Sequence, residues 1–435
     1  MEPDTRLDRI LEVEAFIASC RVDGAHGTLW GRTRDGGDSP HTLYHGSAGV
    51  VLFYLELHRA TGDDRFLDIA VSGADELLAH TAELSDGSIA IYSGLPGYLF
   101  VLNETAKASG IERFRTAASS VVNSILDQSQ PLGAGIGWIE PIPFSDITGI
   151  TGERELLDLS IGAAGTGLAL LYAHRQQLDE RALSAAVQTA DRLLEMAVDT
   201  PDGPNWLMMA DMPFPFTAPN FAHGAAGVAY FLADLHRATD DQRYLDVAIA
   251  AAGFVEAHAT ATSDDGLLVC HTEEQPGLHY LGACHGPPGT GRLMYLLHEI
   301  TGDDRWLDWL HANMRGLLAT GAPETRSDGL WKNFGQCCGD AGIGDYALSL
   351  SQATGDAAYI NLAERIETVV LAASVVEDER RSWPQAEHRS RPTFIESQTG
   401  YMQGAAGIAS FLLHLATIDD QPNAKIALPD SPFTR

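Results

Sequence analysis

The sequence predicts an all-α protein in which an inner ring of helices is enclosed by an outer ring. The prediction rests on a Gly-x-x-Gly motif followed by an apolar helix, which occurs seven times without strand-rich stretches between the copies. The motif copies begin at Gly46, Gly94, Gly162, Gly224, Gly286, Gly339 and Gly404. Repeats that bury one helix each and stack on their neighbours favour a closed ring over an open superhelix, since no repeat has a polar capping character.

The helix after each motif is apolar over most of its circumference. Residues 228–235 (Val-Ala-Tyr-Phe-Leu-Ala-Asp-Leu) and 408–415 (Ile-Ala-Ser-Phe-Leu-Leu-His-Leu) are examples. A helix of this composition is buried on nearly all sides. We therefore assign these seven segments to the inner ring.

A second signature predicts an outer helix after several inner ones. Residues 61–68 read Thr-Gly-Asp-Asp-Arg-Phe-Leu-Asp, residues 239–246 and 301–308 are close copies, and a looser copy begins at Thr354. Glycine ends the first helix in a left-handed conformation, and aspartate caps the second. We expect seven helical hairpins in a single domain spanning 1–435, with one extra helix at residues 7–20.

Composition narrows the functional classes. The chain has 435 residues, of which 45% are hydrophobic, and its formal net charge is −31. Such a charge disfavours nucleic-acid binding and attracts a cationic peptide, although an acidic proteome would explain it equally well. The sequence lacks the roughly 18–20-residue apolar run of a membrane span, and its first residues do not resemble a signal peptide. We expect a cytoplasmic protein.

Three of the five cysteines fall at the tips of neighbouring repeats. Cys284 lies two residues before Gly286, whereas Cys337 and Cys338 directly precede Gly339. Clustered thiolates favour Zn²⁺, and three protein ligands leave an open position for catalysis. A fourth ligand, His285, would make the site structural, and without a metal the thiols would simply pack beneath a glycine turn. The other cysteines, at positions 20 and 270, are expected to be free buried thiols.

Two further polar residues are expected at the same end of the ring. His223 directly precedes Gly224 in repeat four, and Asp158 lies four residues before Gly162 in repeat three. These repeats adjoin the cysteine repeats, so the side chains and the thiols are expected to form one patch. His45, at the tip of repeat one, is interpreted as structural.

The motifs together resemble those of the lanthionine cyclases, the LanC-like family, over essentially the whole chain. The resemblance rests on residues 158–162 (Asp-Leu-Ser-Ile-Gly), 221–227 (Phe-Ala-His-Gly-Ala-Ala-Gly), 284–289 (Cys-His-Gly-Pro-Pro-Gly) and 337–342 (Cys-Cys-Gly-Asp-Ala-Gly), in this order. It implies an α,α-toroid with about seven inner and seven outer helices. A single zinc ion at its mouth is implied to be bound by Cys284, Cys337 and Cys338.

The resemblance also implies a reaction. Family members add a peptide cysteine thiolate to a dehydroalanine or dehydrobutyrine of the same peptide, which forms a lanthionine or methyllanthionine thioether ring. His223 matches the acid–base histidine of the family, and Asp158 matches the carboxylate that orients it. Tyr280 and His285 are expected to contact the substrate.

The chain departs from the common family pattern at two positions. The second metal segment is usually Cys-His-Gly, whereas here residues 337–339 read Cys-Cys-Gly. We expect the third thiolate to make ring closure faster or less selective. Tyr280 stands where standalone cyclases often have an arginine, and Arg292 does not occupy the matching position. The cation that would stabilise an enolate is therefore missing at this position.

The expected partners are a dehydrated precursor peptide and a separate kinase/lyase or dehydratase, since the repeats use nearly all of the chain. Three alternatives remain open. A non-cyclising family member would bind zinc and glutathione or add glutathione to dehydrated peptides. A toroidal carbohydrate enzyme would need paired carboxylates and stacking aromatic residues. A helical scaffold would not need cysteines at neighbouring tips.

Overall fold

Helices dominate the part of the protein that its computed structural model describes, residues 5–34, 36, 38–84, 87–143, 149–212, 217–421 and 424–433. None of these helices is long and apolar enough to cross a bilayer. The helices within these ranges are α1 (Arg6–Ser19), α2 (Ser47–Thr61), α3 (Asp64–Glu83), α4 (Leu95–Ser109), α5 (Glu112–Asp127), α6 (Ala163–Arg175), α7 (Ala182–Glu195), α8 (Ala225–Thr239), α9 (Gln242–Ala257), α10 (Pro287–Thr301), α11 (Arg305–Ala319), α12 (Asp340–Thr354), α13 (Ala357–Ala373) and α14 (Ala405–Thr417).

Short strands occupy the connections from an outer helix to the next inner helix. They form antiparallel two-stranded sheets, in each of which an odd-numbered strand pairs with the next strand of the chain. The strands are β1 (Arg21–Asp23), β2 (Thr28–Trp30), β3 (Gln130–Leu132), β4 (Gly135–Gly137), β5 (Ile139–Pro141), β6 (Glu153–Glu155), β7 (Val198–Thr200), β8 (Gly203–Asn205), β9 (Ala259–Ala261), β10 (Leu267–Val269), β11 (Val375–Glu377), β12 (Arg380–Ser382), β13 (Gln385–Ala386) and β14 (Ile395–Glu396). A 3₁₀ turn, Ser263–Asp265, separates β9 from β10.

The seven motif helices form a closed inner ring. Helices α2, α4, α6, α8, α10, α12 and α14 each contact the next one, and α14 contacts α2. The other helices pack outside them, which confirms the all-α, double-layered toroid. Helix α1 is not an extra element as the sequence suggested, because it packs against α14 in the place of an outer helix. Only closure of the ring brings these two ends of the chain together.

The helix boundaries follow the predicted signature. Gly62 ends α2 with a φ of 68°, and Asp240 takes the equivalent left-handed position after α8 with a φ of 59°. The side chain of Asp63 then accepts a hydrogen bond from the backbone N–H of Arg65, in the first turn of α3. The hairpins that carry the signature are therefore closed by the residue types that a tight turn requires.

The two glycines of each motif allow the chain before an inner helix to fold back onto that helix. In repeat four, a Cβ atom on Gly224 would lie 2.0 Å from the carbonyl oxygen of Ala218. A Cβ atom on Gly227 would lie equally close, 2.0 Å, to the carbonyl oxygen of Phe221. A side chain at either glycine would clash with these carbonyl groups. The two glycines therefore let the tip residues pack directly against the start of the helix.

A belt of backbone hydrogen bonds joins the tips around one end of the ring, which we call the mouth. Each belt residue lies two positions before the first glycine of its motif. The N–H to O=C bonds run from Tyr44 to Tyr92 (2.9 Å), Ser160 to Ala222 (3.0 Å), Ala222 to Cys284 (2.8 Å), Cys284 to Cys337 (3.1 Å), Cys337 to Met402 (3.0 Å) and Met402 to Tyr44 (3.0 Å). Equivalent positions of neighbouring repeats are thus in direct contact at the mouth.

The C-terminal segment, residues 424–433, fills the opposite end of the ring. Lys425 Nζ lies 2.6 Å from Asp345 Oδ2 on α12, and the ring of Phe433 lies 4.5 Å from that of Tyr295 on α10. These contacts hold the segment inside the ring, on the side away from the mouth.

Candidate metal centre at the mouth of the toroid

Three thiols form the centre of the mouth. The Sγ atom of Cys338 lies 3.5 Å from that of Cys284 and 3.4 Å from that of Cys337, and none of the three forms a disulfide. One donor atom from each lies within 4.8 Å of the other two. A compact set of three sulfur donors fits a thiophilic divalent ion such as Zn²⁺. His285 does not belong to this set among the described residues.

The positions of the thiols follow from the register of the belt. Cys284 and Cys337 occupy the same belt position in adjacent repeats, and a backbone hydrogen bond joins them directly. Cys338 lies one residue further along the chain, at the position that His223 and His285 occupy in repeats four and five. Cys284 and Cys337 are thus equivalent in the repeat, whereas Cys338 stands where repeats four and five have a histidine.

Hydrogen bonds from neighbouring side chains support the thiol cluster. The pKa of the Cys337 thiol lies well below its usual value because the side chains of Cys284, Cys338 and Tyr44 hydrogen-bond to it. The Tyr44 hydroxyl accepts a hydrogen bond from Gln403 Nε2 at 2.8 Å, and the same nitrogen lies 3.7 Å from Cys338 Sγ. Tyr44 and Gln403 therefore help to orient the thiols.

His223 and Asp158 form a dyad beside the thiols. His223 Nδ1 lies 2.7 Å from Asp158 Oδ2, and the other carboxylate oxygen accepts a 2.7 Å hydrogen bond from the backbone N–H of Ile161. The Asp158 side chain is 1% exposed and that of His223 is 20% exposed. Burial opposes a charge on His223, but the charge and hydrogen bond of Asp158 raise the pKa of the imidazole above its ordinary value.

Aromatic rings continue the site beyond the thiols. His285 Nδ1 lies 3.0 Å from Cys284 Sγ, and its ring centroid lies 5.5 Å from that of His223 and 5.4 Å from that of Tyr280. The ring of His271 packs edge-on against His285 at 4.9 Å. We call His271, Tyr280 and His285 the aromatic wall.

The aromatic wall has a distinct electrostatic character. Burial, together with the neighbouring histidines, holds the pKa of His285 well below its ordinary value. Burial, His223 and Arg389 lower the pKa of His271 to about 4. Both imidazoles of the wall are therefore neutral at pH 7.

One cation reaches the wall from a distant segment. Arg389, in the loop between β13 and β14, donates from Nε to the Tyr280 hydroxyl at 3.3 Å. Its guanidinium carbon lies 5.9 Å from the centroid of the Tyr280 ring. A positive charge is thus present next to the tyrosine that replaces the arginine of the family pattern.

A second charged group lies in the central cavity beneath the belt. Arg292 of α10 forms an ion pair there with Asp430 of the C-terminal segment, and the Tyr92 hydroxyl donates to the same carboxylate. Cys284 and Cys337 line the mouth side of this cavity. The Arg292 guanidinium is therefore paired beneath the thiols and is not placed in the aromatic wall.

The structure brings together every site residue that the sequence singled out, namely Asp158, His223, Tyr280, Cys284, His285, Cys337 and Cys338. The sequence motifs did not single out Tyr44 and Gln403 as site residues. Their positions just before Gly46 and Gly404 nevertheless indicate a place at the mouth. His271 and Arg389 lie outside the motifs, and no regularity of the sequence indicates them. Ring contacts place His271 at the site, and a hydrogen bond to Tyr280 places Arg389 there.

The fold and the thiol cluster define a helical toroid with a candidate metal centre at its mouth. Comparison with known families gives the assignment: the model described as lanthionine synthetase C-like protein matches residues 37–428, so the chain belongs to this family. Among curated protein sequences, none matches this chain.

Solved structures agree on the architecture. The structure described as nisin cyclase has a TM-score of 0.64 at 13% identity, and the match covers 92% of this chain and 93% of that one. The cellobiose 2-epimerase from Bacillus thermoamylovorans B4167 has a TM-score of 0.52 at 12% identity, with coverage of 95% and 98%. At these identities, the likeness establishes the fold alone.

Proposed function

We propose that this protein is a zinc-dependent lanthipeptide cyclase whose single domain spans residues 1–435. It adds the thiolate of a peptide cysteine to a dehydroalanine or dehydrobutyrine of the same peptide, which forms a lanthionine or methyllanthionine ring. The observation that supports this most strongly is the thiol cluster beside the His223–Asp158 dyad, in a chain of the lanthionine synthetase C-like family.

In this proposal, Cys284, Cys337 and Cys338 hold the zinc ion through their sulfur atoms. The ion supplies Lewis acidity, which lowers the pKa of a substrate thiol so that its thiolate is available at neutral pH. Tyr44 and Gln403 orient the three sulfur donors through the hydrogen bonds described above. Supporting contacts of this kind tune both the affinity and the reactivity of a metal site.

His223 then supplies a proton to the substrate. Attack of the thiolate on the β-carbon moves the alkene electron pair toward the α-carbon and its carbonyl, so an enolate forms and must be protonated. Asp158 raises the pKa of His223 and so favours the protonated imidazole, the form that can act as an acid. Asp158 holds the ring in place through Nδ1, which leaves Nε2 free to donate its proton.

The aromatic wall would bind the peptide beside the reacting atoms. Tyr280 and His285 present flat surfaces next to the thiols, and low imidazole pKa values avoid a second competing acid. Arg389 brings a guanidinium to Tyr280 and would provide the positive charge that favours an enolate. The wall would therefore position the dehydrated residue, and Arg389 would fulfil the role of the missing arginine.

The proposal implies two partners. The substrate is a precursor peptide that a separate kinase/lyase or dehydratase has dehydrated. The net charge of −31 would attract basic segments of such a peptide over long range. The proposal also includes a cytoplasmic location of the protein, where it would meet the enzyme that supplies this substrate.

The direct test is incubation of zinc-loaded protein with a dehydrated peptide that contains one cysteine and one dehydroalanine. Alkylation of remaining thiols followed by mass spectrometry separates ring formation from no reaction, because closure leaves the mass unchanged and removes the alkylatable thiol. We expect closure with wild type and with Cys270→Ala, which alters a buried thiol outside the cluster, and loss of closure with Cys284→Ala. Glutathione in the mixture tests the alternative, since its addition increases the peptide mass.

A peptide that stays fully alkylatable with the zinc-loaded wild type would contradict the proposed function. A glutathione adduct without a ring would favour the non-cyclising alternative.

A further inference from the structure

A second histidine–carboxylate dyad lies at the mouth, in a different part of the ring from His223 and Asp158. His45 Nε2 lies 2.9 Å from Glu387 Oε1. The histidine side chain is 33% exposed, and that of the glutamate is 15% exposed. An accessible imidazole held by a half-buried carboxylate is an arrangement that can accept and release protons.

The repeat register places this dyad on the far flank of the thiol cluster. His45 directly precedes Gly46 and so occupies in repeat one the position of His223 in repeat four and Cys338 in repeat six. Around the closed ring, repeat four adjoins the cysteine repeats on one side, whereas repeats seven and one follow on the other. The thiols therefore lie between the two dyads.

Short contacts connect the second dyad to the thiols. The rings of His45 and Tyr44 lie 4.5 Å apart in an edge-on arrangement. Tyr44 contacts Cys337, and Gln403 lies between the Tyr44 hydroxyl and Cys338 Sγ. His45 is thus one side chain away from the atoms that surround the sulfur donors.

The His45 imidazole faces a carboxylate that stays ionised. Burial raises the pKa of Glu387, but the hydrogen bond and charge of His45 and the hydrogen bond from Gln398 outweigh it and lower the pKa to about 2. The carboxylate is therefore ionised throughout the neutral range. His388 also approaches Glu387 (3.6 Å), and Tyr44 and the Arg32–Glu396 ion pair behind Gln398 complete the titratable surroundings.

We propose that the His45–Glu387 dyad is the proton acceptor for the substrate thiol, so that the two protons of the reaction are handled on opposite flanks of the metal centre. The inference rests on the proposed function. His45 takes the proton from the thiol, and the resulting thiolate forms the carbon–sulfur bond. The alkene electron pair moves to the α-carbon, which receives a proton from His223. Solvent then returns the proton from His45 to His223, so no net proton is consumed.

Within this scheme, Glu387 is a positioning residue that acts through His45. A purely structural role for the pair would be to fasten the β13–β14 loop to the tip of repeat one. The two roles differ in their pH dependence, because a structural contact does not alter the ionisation of the substrate thiol.

The test uses the zinc-loaded full chain with His45→Gln and Glu387→Gln, and with His58→Gln as a control at the other end of α2. The first readout is the pH dependence of kcat/KM for ring closure. The second is the alkylation rate of the thiol in the undehydrated precursor, which binds without reacting, across the same pH range. Glu387→Gln keeps the size and hydrogen bonding of the carboxylate, so it tests the dyad even if His45→Gln does not fold.

We expect kcat/KM on the plateau of its pH profile to fall by about 100-fold in His45→Gln, the typical contribution of a general base. In Glu387→Gln the loss of the carboxylate charge weakens the base, so the limb of the profile that rises with pH should shift to lower pH and the plateau should fall. Glu387→Asp should restore both in part, and alkylation of the bound thiol should require higher pH in both Gln variants. Unchanged pH profiles and alkylation rates in folded variants would overturn this inference. Ring closure by the wild type would still support the proposed function. Absence of ring closure by the wild type would overturn both.

Discussion

The backbone of Cys338 rests directly on Gly282. A Cβ atom on Gly282 would lie 2.5 Å from the carbonyl carbon of Cys338 and 2.6 Å from its Cα. Gly282 lies four residues before the motif glycine of repeat five, and Cys338 belongs to the tip of repeat six. Because Gly282 has no side chain, the backbone of Cys338 can pack against it. This contact helps to position the third thiol.

This contact predicts that Gly282→Ala weakens metal binding without unfolding the protein. The added methyl group must displace the Cys338 backbone, and the sulfur donor would move with it. Changes next to metal ligands typically lower affinity by about 10–100-fold, and competition with a chromophoric zinc chelator measures the effect. Gly277→Ala is the matched control, because a Cβ atom there meets no atom within 4 Å. Equal zinc affinity in the two variants would contradict the role of the contact.

The His223–Asp158 dyad predicts a specific change in acidity. In Asp158→Asn the negative charge that raises the pKa of His223 is lost, so this pKa should fall. His223 acts as an acid, so the limb of the pH–rate profile that declines at high pH should shift to lower pH. NMR titration of the histidine resonances measures the pKa directly, and an unchanged His223 pKa would rule out this coupling.

The Cys-Cys tip of repeat six predicts altered ring closure in Cys338→His. A neutral imidazole in place of a thiolate makes the metal site less electron-rich, and the substrate thiolate should become less nucleophilic. We expect slower or more selective cyclisation of a peptide with several cysteines, measured by the time course of thiol loss and by the ring pattern in tandem mass spectrometry. The same rate and ring pattern as wild type would count against this explanation.

A buried cluster inside the ring, next to the C-terminal segment, predicts pH-dependent stability. His414 Nδ1 lies 2.6 Å from Asp345 Oδ1, and its Nε2 lies 3.1 Å from Glu56 Oε1. Burial opposes its charge, but Glu56 and Asp345 raise the pKa of His414 to about 9. Because this value lies above that of the unfolded chain, the stabilisation is complete below pH 6.5 and is lost as the pH rises through about 9.

The His414→Gln variant should remove this dependence. A difference between 6.5 and about 9 corresponds to about 3 kcal/mol in the free energy of unfolding, as an upper value for a buried group. Denaturant unfolding at pH 6.5 and at pH 9.5 should therefore show a smaller loss of stability in His414→Gln than in wild type. His26→Gln changes an exposed histidine and serves as control. Equal pH dependence in all three proteins would exclude His414 as its source.

The sequence allowed the ring and the centre of the site to be predicted because both follow the repeat. Gly-x-x-Gly sets the belt register, so the cysteines and His223 are predictable from their distance to a motif glycine. Asp158 is predictable in the same way. Helix α1 was placed less well, because its role as the outer partner of α14 depends on closure of the ring and leaves no trace in the order of the motifs.

The remaining site residues depend on irregular connections. Arg389 and Glu387 belong to the segment between β13 and β14, and His271 follows β10. These segments differ in length and composition from repeat to repeat, so no period relates them to the mouth. Their side chains come to the mouth only through tertiary packing, which propensity and periodicity do not encode.

The central claim is that three cysteines hold one zinc ion beside the His223–Asp158 dyad. Its most direct test is the zinc content of purified protein, measured for wild type and Cys337→Ala together with circular dichroism. We predict one zinc ion per wild-type chain and a marked loss of zinc in Cys337→Ala with the helical spectrum retained. A wild-type protein without zinc after purification in zinc-containing buffer, or full zinc occupancy in Cys337→Ala, would contradict the claim.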